Sequence, residues 1–132
     1  MEVKIDTALL DCLTEQAKAS PRLRMNYDLR TSAADTSQRM LNAIEPGSEV
    51  PIHRHRNTSE TFVVLRGRVL EEFYNSEGAV EATYEVVAGG PICALNIPAG
   101  TWHTLHSLES GTVILEMKDG AYESIGLDDI FN

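Results

Sequence analysis

The spacing of apolar positions changes once along the chain. Before residue 20, Leu9, Leu10, Leu13 and Ala17 recur at helical spacing. Asp6 stands where an N-cap belongs, and Ile5 ahead of it can staple onto Leu10. Ser20-Pro21 predicts the end of this helix, because proline pushes the residue before it out of the α region. Residues 21–36, PRLRMNYDLRTSAADT, are polar and aperiodic, which predicts an extended arm and then a loop. From residue 37 onward the chain breaks into short runs: QRMLNAI, VPIHRH, ETFVVLRG, RVLEEFYN, EATYEVV, ICALNIP, WHTLHSL and TVILEMK. Turn signals of Gly, Pro and Asn cut these runs about every ten residues, which predicts an all-β sandwich or barrel. NSEG at 75–78 reads as a hairpin turn. In the last run, Val113, Leu115 and Met117 share one face and Glu116 and Lys118 the other. The apolar face is taken as core, so Glu116 and Lys118 are expected at the surface unless the strand lines a pocket mouth. The end of the chain, AYESIGLDDIFN, reads as a polar tail whose Ile130 and Phe131 tuck back onto the body.

Composition narrows this little. A chain of 132 residues with 42% hydrophobic residues can bury a core as one domain without staples. Cys12 and Cys93 are far apart and suggest no disulfide framework; both are read as buried thiols. No apolar run approaches the ~20 residues that span a bilayer, and the N-terminus lacks the charged and apolar regions of a signal peptide. A cytoplasmic location is the default expectation. Charge is more informative: 20 acids against 11 bases leave a formal net charge of -9. Such a surface repels nucleic acid and anionic lipid, so neither is an expected partner. An anionic ligand would need a local cluster of arginines.

The histidines are concentrated. If IHRHR is a strand, His53 and His55 share one face and Arg54 and Arg56 the other. Glu60 follows at the head of the next strand and can meet both imidazoles if that strand pairs back. PAGTWHTLH brings a third imidazole, His103, just after a turn. Three imidazoles and a carboxylate suit zinc, Fe(II), manganese, nickel or cobalt better than the hard cations calcium and magnesium. Zinc is placed first. Such a set either closes a tetrahedron or leaves positions open for chemistry.

The spacing from Gly47 through His53, His55 and Glu60 to Gly67 matches the first motif of the cupin superfamily in full. Pro98-x-Gly100-x-x-His103 resembles the second. That motif usually begins with Gly where this chain has Ile92, and closes with Asn where it has Ser107; neither position is a ligand. The resemblance implies a cupin-type double-stranded β-helix, a jelly-roll barrel with the metal site inside, preceded by an N-terminal α-helix and arm. The expected organisation is helix and arm over 1–36, barrel over 37–123 and tail over 124–132. It further implies His53, His55, Glu60 and His103 as metal ligands. Outside the motifs, Ser20-Pro21-Arg22-x-Arg24-x-Asn26-Tyr27, QRMLNA, PAGTWHTL and Glu116-x-Lys118-x-Gly120-x-Tyr122 resemble the WbuC family of cupin-fold metalloproteins. That resemblance implies a role near sugar or nucleotide-sugar metabolism of bacterial surface polysaccharides such as O-antigen, without implying a reaction.

Several expectations follow. Arg22, Arg24 and Arg39 are candidates for an anionic ligand, since arginine forks suit carboxylate and phosphate, although pairing with nearby acids explains them equally well. Trp102 is a ligand candidate by stacking, or simply packing. A catalytic base would come from His106, Tyr122 or Glu116. Three functions stay open: a metal-dependent isomerase, epimerase or lyase acting on a sugar derivative; a non-enzymatic sugar-binding or regulatory module with a structural metal; and an Fe(II) dioxygenase. A small-molecule partner and a homodimer are the expected associations.

Overall fold

The structure is a computed structural model that describes residues 2–120 and 122–132; Met1 and Ala121, the first residue of the predicted tail, lie outside the described residues. Helix α1 (Thr7–Ala19) starts as predicted, with the Asp6 side chain accepting from the Leu9 N–H at 3.0 Å. Among the described residues eight strands follow: β1 (Arg24–Asp28), β2 (Ser37–Ile44), β3 (Glu60–Arg66), β4 (Arg68–Tyr74), β5 (Val80–Val87), β6 (Ala94–Ile97), β7 (Trp102–Ser107) and β8 (Val113–Asp119). They form a five-stranded sheet in the order β1-β2-β8-β3-β6 and a three-stranded sheet in the order β5-β4-β7. All the strand pairs are antiparallel. This is the all-β fold that the turn spacing predicts, with the N-terminal helix that the apolar spacing predicts, in the jelly-roll form that the cupin resemblance implies. Among the described residues no helix is long and apolar enough to cross a membrane.

One predicted element is extended as expected but more regular, and another is not a strand. The arm after the helix is an ordered edge strand, β1, paired along its whole length with β2. The HRHR segment is not a strand. It touches the sheets by isolated bridges at His53, to His103 on one side and Ile130 on the other. Two prolines, Pro46 and Pro51, precede this segment, and proline removes a ladder donor.

The five-stranded sheet is buried on both faces. Its outer face packs Leu41, Ala43 and Val113 against Leu13 and Ala17 of α1, with Leu9, Leu10, Met25, Tyr27 and Leu115 around them. Its inner face contributes Ile44, Phe62, Val64, Ile97 and Ile114 to the core between the sheets, where Val69 and Val86 answer from the smaller sheet. Arg66 fixes the helix from below, donating to Asp11 at 2.6 Å, to the Thr14 hydroxyl at 3.0 Å and to the Gly111 carbonyl at 2.8 Å. Cys12 and Cys93 are exposed, which corrects the expectation of buried thiols. Cys12 lies on the solvent side of α1, and Cys93 sits in the irregular entry to β6.

The tail does tuck back. The Phe131 N–H donates to the Ile52 carbonyl at 2.8 Å and the Arg54 N–H to the Asp129 carbonyl at 3.0 Å. Arg54 and Arg56 both donate to Asp129 at 3.0 Å. The histidine loop is thus clamped from outside by the end of the chain.

The chain passes from β3 in the larger sheet to β4 in the smaller one through Gly67, at φ 80°. A Cβ there would lie 2.2 Å from Thr112 Oγ1 and 2.8 Å from Thr112 Cα. Thr112 cannot yield, because its hydroxyl donates to the Glu109 carbonyl at 2.7 Å and accepts from the Arg68 N–H at 3.2 Å. Gly89 has a similar φ of 69° but open space around it. Gly67→Ala is therefore expected to cost about 3 kcal/mol or more, strain plus overpacking, and Gly89→Ala about 1 kcal/mol from strain alone. Urea unfolding of the two variants checks this; equal losses would contradict the close packing at Gly67.

Candidate metal centre

His53 and His103 face each other as a reciprocal backbone pair. The His53 N–H donates to the His103 carbonyl at 3.0 Å and the His103 N–H to the His53 carbonyl at 2.8 Å. Their ring centroids lie 4.4 Å apart, and those of His53 and His55 5.2 Å. One ring nitrogen from each of His53, His55 and His103 lies within 4.8 Å of the other two. Glu60, at the head of β3, completes the group, with its Oε2 2.9 Å from His55 Nε2. Although the HRHR segment is irregular, the predicted alternation survives: the two imidazoles enter the barrel and the two guanidiniums go out to Asp129.

The surroundings orient these groups. His53 Nδ1 donates to the Pro51 carbonyl at 2.8 Å, which leaves Nε2 as its free lone pair. His103 Nδ1 meets Glu71 Oε1 at 2.7 Å, and its Nε2 is buried with no partner. A buried imidazole nitrogen left unpaired at the meeting point of two more imidazoles and a carboxylate is what a transition-metal site requires. The residues fit such an ion: His53, His55, His103 and Glu60 would hold it, and the Glu71 carboxyl behind His103 occupies the place of the outer carboxylate seen behind metal-bound histidines.

Electrostatics agree. Burial, then the charge of His103, lowers His53 to about 4. Burial likewise brings His103 to about 4, with Glu60 working against it. Both rings are neutral at physiological pH, the form that binds metals. Burial disfavours the Glu60 charge, but the hydrogen bond from His55 and the adjacent imidazoles outweigh it and hold its carboxyl below the ordinary glutamate value. Burial pushes Glu71 up to about 9, helped by Glu60 and Glu72 and opposed by His106. Burial, then Glu60, raises Glu116 to about 8.

The centre opens into a cavity of about 260 Å³. Arg22, Arg24, Tyr122 and Glu116 line it, as do Gln38 and Asn42. Among the described residues Arg39, Trp102 and His106 do not. Arg39 sits on the outer side of β2, donating to the Ser37 and Leu29 carbonyls at 2.7 and 3.0 Å. Trp102 packs against Phe131, centroids 5.4 Å apart, under the Arg54 guanidinium at 4.4 Å. His106 points outward to Glu72 at 2.5 Å. Glu116 and Lys118 face the interior, because α1 buries the opposite face of β8. The exposed placement is corrected, and the pocket-mouth alternative holds. Lys118 Nζ lies 3.5 Å from His55 Nδ1. Glu71 was not singled out in the sequence, yet it alternates with Val69 and Phe73, and that parity marks a carboxyl on a core face.

The family model for a domain of unknown function, DUF6016, matches residues 5–86, more than half of the chain. The chain belongs to the DUF6016 family. The matched segment carries α1, β1 to β4 and most of β5, with His53, His55 and Glu60, and ends before His103. A comparison with curated proteins gives no match. Among solved structures, this DUF6016 chain is similar to the capsular polysaccharide assembling protein CapF from Staphylococcus aureus, at TM-score 0.66 and 21% identity over 79% of this chain and 30% of that one. It is similar to oxalate oxidase in complex with the substrate analogue glycolate, at TM-score 0.66 and 17% identity over 82% and 56%. It is also similar to the cupin domain of Schizosaccharomyces pombe Cnp3, at TM-score 0.57 and 13% identity over 75% and 65%. The chain thus spans less than a third of CapF. At these identities the likeness establishes the cupin fold.

The shifts give a pH profile with two limbs. Glu71 and Glu116 hold protons more tightly folded than unfolded, so their contribution to stability is full below 4.5 and is lost as pH rises through about 8 and 9. For His53 and His103 the contribution is full above 6.5 and is lost as pH falls through about 4. Metal-free protein is expected to gain stability from pH 9 down to 6.5, to stay level to 4.5 and to weaken below. Urea midpoints across this range read it directly, and Glu116→Gln removes its share of the upper limb. A midpoint that climbs towards pH 9 would contradict the buried placement of the two carboxyls.

Proposed function

We propose that this protein is a metal-binding cupin that binds, and acts on, a small anionic sugar derivative. The observation that carries the reading is the convergence of His53, His55, Glu60 and His103 at the floor of the cavity that Arg22 and Arg24 line. The metal is taken to be zinc, because three imidazoles with one carboxylate form one of the donor sets that suit it. When bound, it supplies Lewis acidity towards a hydroxyl or carbonyl oxygen. Arg22 and Arg24 hold the anionic group. Glu116, on the adjacent wall, is the carboxyl placed to take up or give a proton: burial raises it to about 8 in the metal-free protein, and a bound dication would draw it back down. Proton transfer beside a polarised oxygen is isomerase-, epimerase- or lyase-type chemistry. The fold likeness to a capsular polysaccharide assembling protein and the WbuC-type motifs support a setting in surface-polysaccharide metabolism.

Metal analysis tests the reading. Protein purified without added metal, then loaded with zinc and desalted, is expected to retain about one equivalent. His53→Ala is expected to lose most of it, and Arg54→Ala to keep it, because Arg54 is engaged with Asp129 outside the site. Equal retention in both folded variants would remove the four-residue site from consideration.

A further inference from the structure

Eight arginines occur in the chain. Six have an acidic partner: Arg30 with Asp28, Arg39 with Asp35, Arg54 and Arg56 with Asp129, Arg66 with Asp11 and Arg68 with Glu85. Among the described residues, only Arg22 and Arg24 have none, in a chain of net charge -9, and both line the cavity. The residue between them, Leu23, has φ 56° and is the one non-glycine residue with positive φ among the described residues. A bulky side chain in the left-handed region is strained, and here that strain sits between two unpaired cations.

The wall beside them is equally unsatisfied. Arg24 Nε, Gln38 Oε1 and Asn42 Oδ1 are buried without a hydrogen-bond partner, and Gln38 is only 7% exposed. The Asn42 amide is oriented by its Nδ2, which donates to Glu116 Oε1 at 3.2 Å, so its oxygen is the end left free. Strand register places these groups around the centre. Gln38 pairs across to Lys118 and Lys118 to Glu60; Met40 pairs to Glu116; Asn26 pairs to Asn42. Native interiors rarely leave so many polar atoms unpaired in one place.

We propose that this wall is a recognition site for a polyhydroxylated anion, in which Arg22 and Arg24 take the anionic group while Gln38 and Asn42 accept hydrogen bonds from its hydroxyls. The inference rests on the reading of the cavity as a small-molecule site and adds what that molecule must carry. A bare carboxylate only accepts, so it satisfies Arg24 but faces the Gln38 and Asn42 oxygens as one acceptor against another. A neutral polyol satisfies the amides and leaves the two cations unpaired. A hydroxyl both donates and accepts, so hydroxyls and an anion on one molecule satisfy the whole set. The anion could be a carboxylate or a phosphate, and the cavity is of a size for a compact molecule rather than a polymer.

Calorimetric titration of zinc-loaded protein with D-gluconate, D-glucose 6-phosphate, D-glucose and acetate tests this. Gluconate or glucose 6-phosphate is expected to bind at least about tenfold more tightly than both glucose and acetate, and the tighter of the two identifies the anion. Arg24→Ala is expected to weaken that probe by about tenfold or more. Gln38→Met is expected to weaken it similarly while raising the melting temperature of the ligand-free protein, since it removes an unsatisfied buried acceptor. A merely structural Gln38 would not give those opposite signs. Failure of both anionic probes to outbind glucose and acetate overturns the inference, as does affinity within about twofold of wild type in both variants. Metal content read on the same samples separates the two claims: wild type that retains no zinc contradicts the metal centre of the proposed function, whereas full zinc with unchanged affinities leaves that centre standing and contradicts the assignment of Arg22, Arg24, Gln38 and Asn42 to the ligand.

Discussion

The five-stranded sheet is stabilised from the side that carries no chemistry. Leu41, Ala43, Val113 and Leu115 pack on the outer face beneath α1, and Arg66 ties that helix to the end of β3. Burial of apolar area contributes roughly 25 cal/mol per Å², so a helix-covered outer face gives β2 and β8 a source of stability separate from the barrel interior. The inner face of the same strands can then hold Gln38, Asn42, Glu116 and Lys118 where a simple sandwich would place only aliphatic side chains. Without α1, those polar residues would sit on strands with too little apolar area to keep them in place.

That arrangement sets the electrostatics. Burial is the first cause of the shift at His53, His103, Glu71 and Glu116. In each case it disfavours the charged form, leaving imidazoles neutral and carboxyls reluctant to ionise. A dication at the histidine cluster reverses the balance for the carboxyls around it, because it is the largest local charge and favours their ionised forms. The tail completes the support from outside: Asp129 draws Arg54 and Arg56 away from the barrel, and so keeps His53 and His55 turned inward on a segment that has no ladder of its own.

Much of this is legible in the residues. Spacing of apolar positions predicts α1, turn residues delimit β2 to β8, and the distances from Gly47 to Gly67 bring His53, His55 and Glu60 forward as a group. The histidine loop is legible as alternation but not as geometry, since its neighbours across the barrel are fixed only by the fold. Glu116 is misplaced for a specific reason: the rule that the apolar face of a strand is core assumes one buried face, and β8 has two. The same limit hides Gln38 and Asn42, whose strand has apolar residues at both parities. Arg22, Arg24 and Arg39 look alike in sequence; only the pairing of β1 with β2 separates the two that reach the cavity from the one that holds the Ser37 and Leu29 carbonyls. Cys12 and Cys93 follow a general tendency of free thiols that nothing local enforces.

The central claim is that three imidazoles and one carboxylate converge on a single ion. X-ray absorption at the zinc edge of the loaded protein reads that shell directly. The account predicts a first shell of nitrogen and oxygen only, with outer-shell scattering from three imidazole rings that falls to two in His103→Ala. A zinc spectrum with no imidazole scattering, or one left unchanged by His103→Ala, would contradict it.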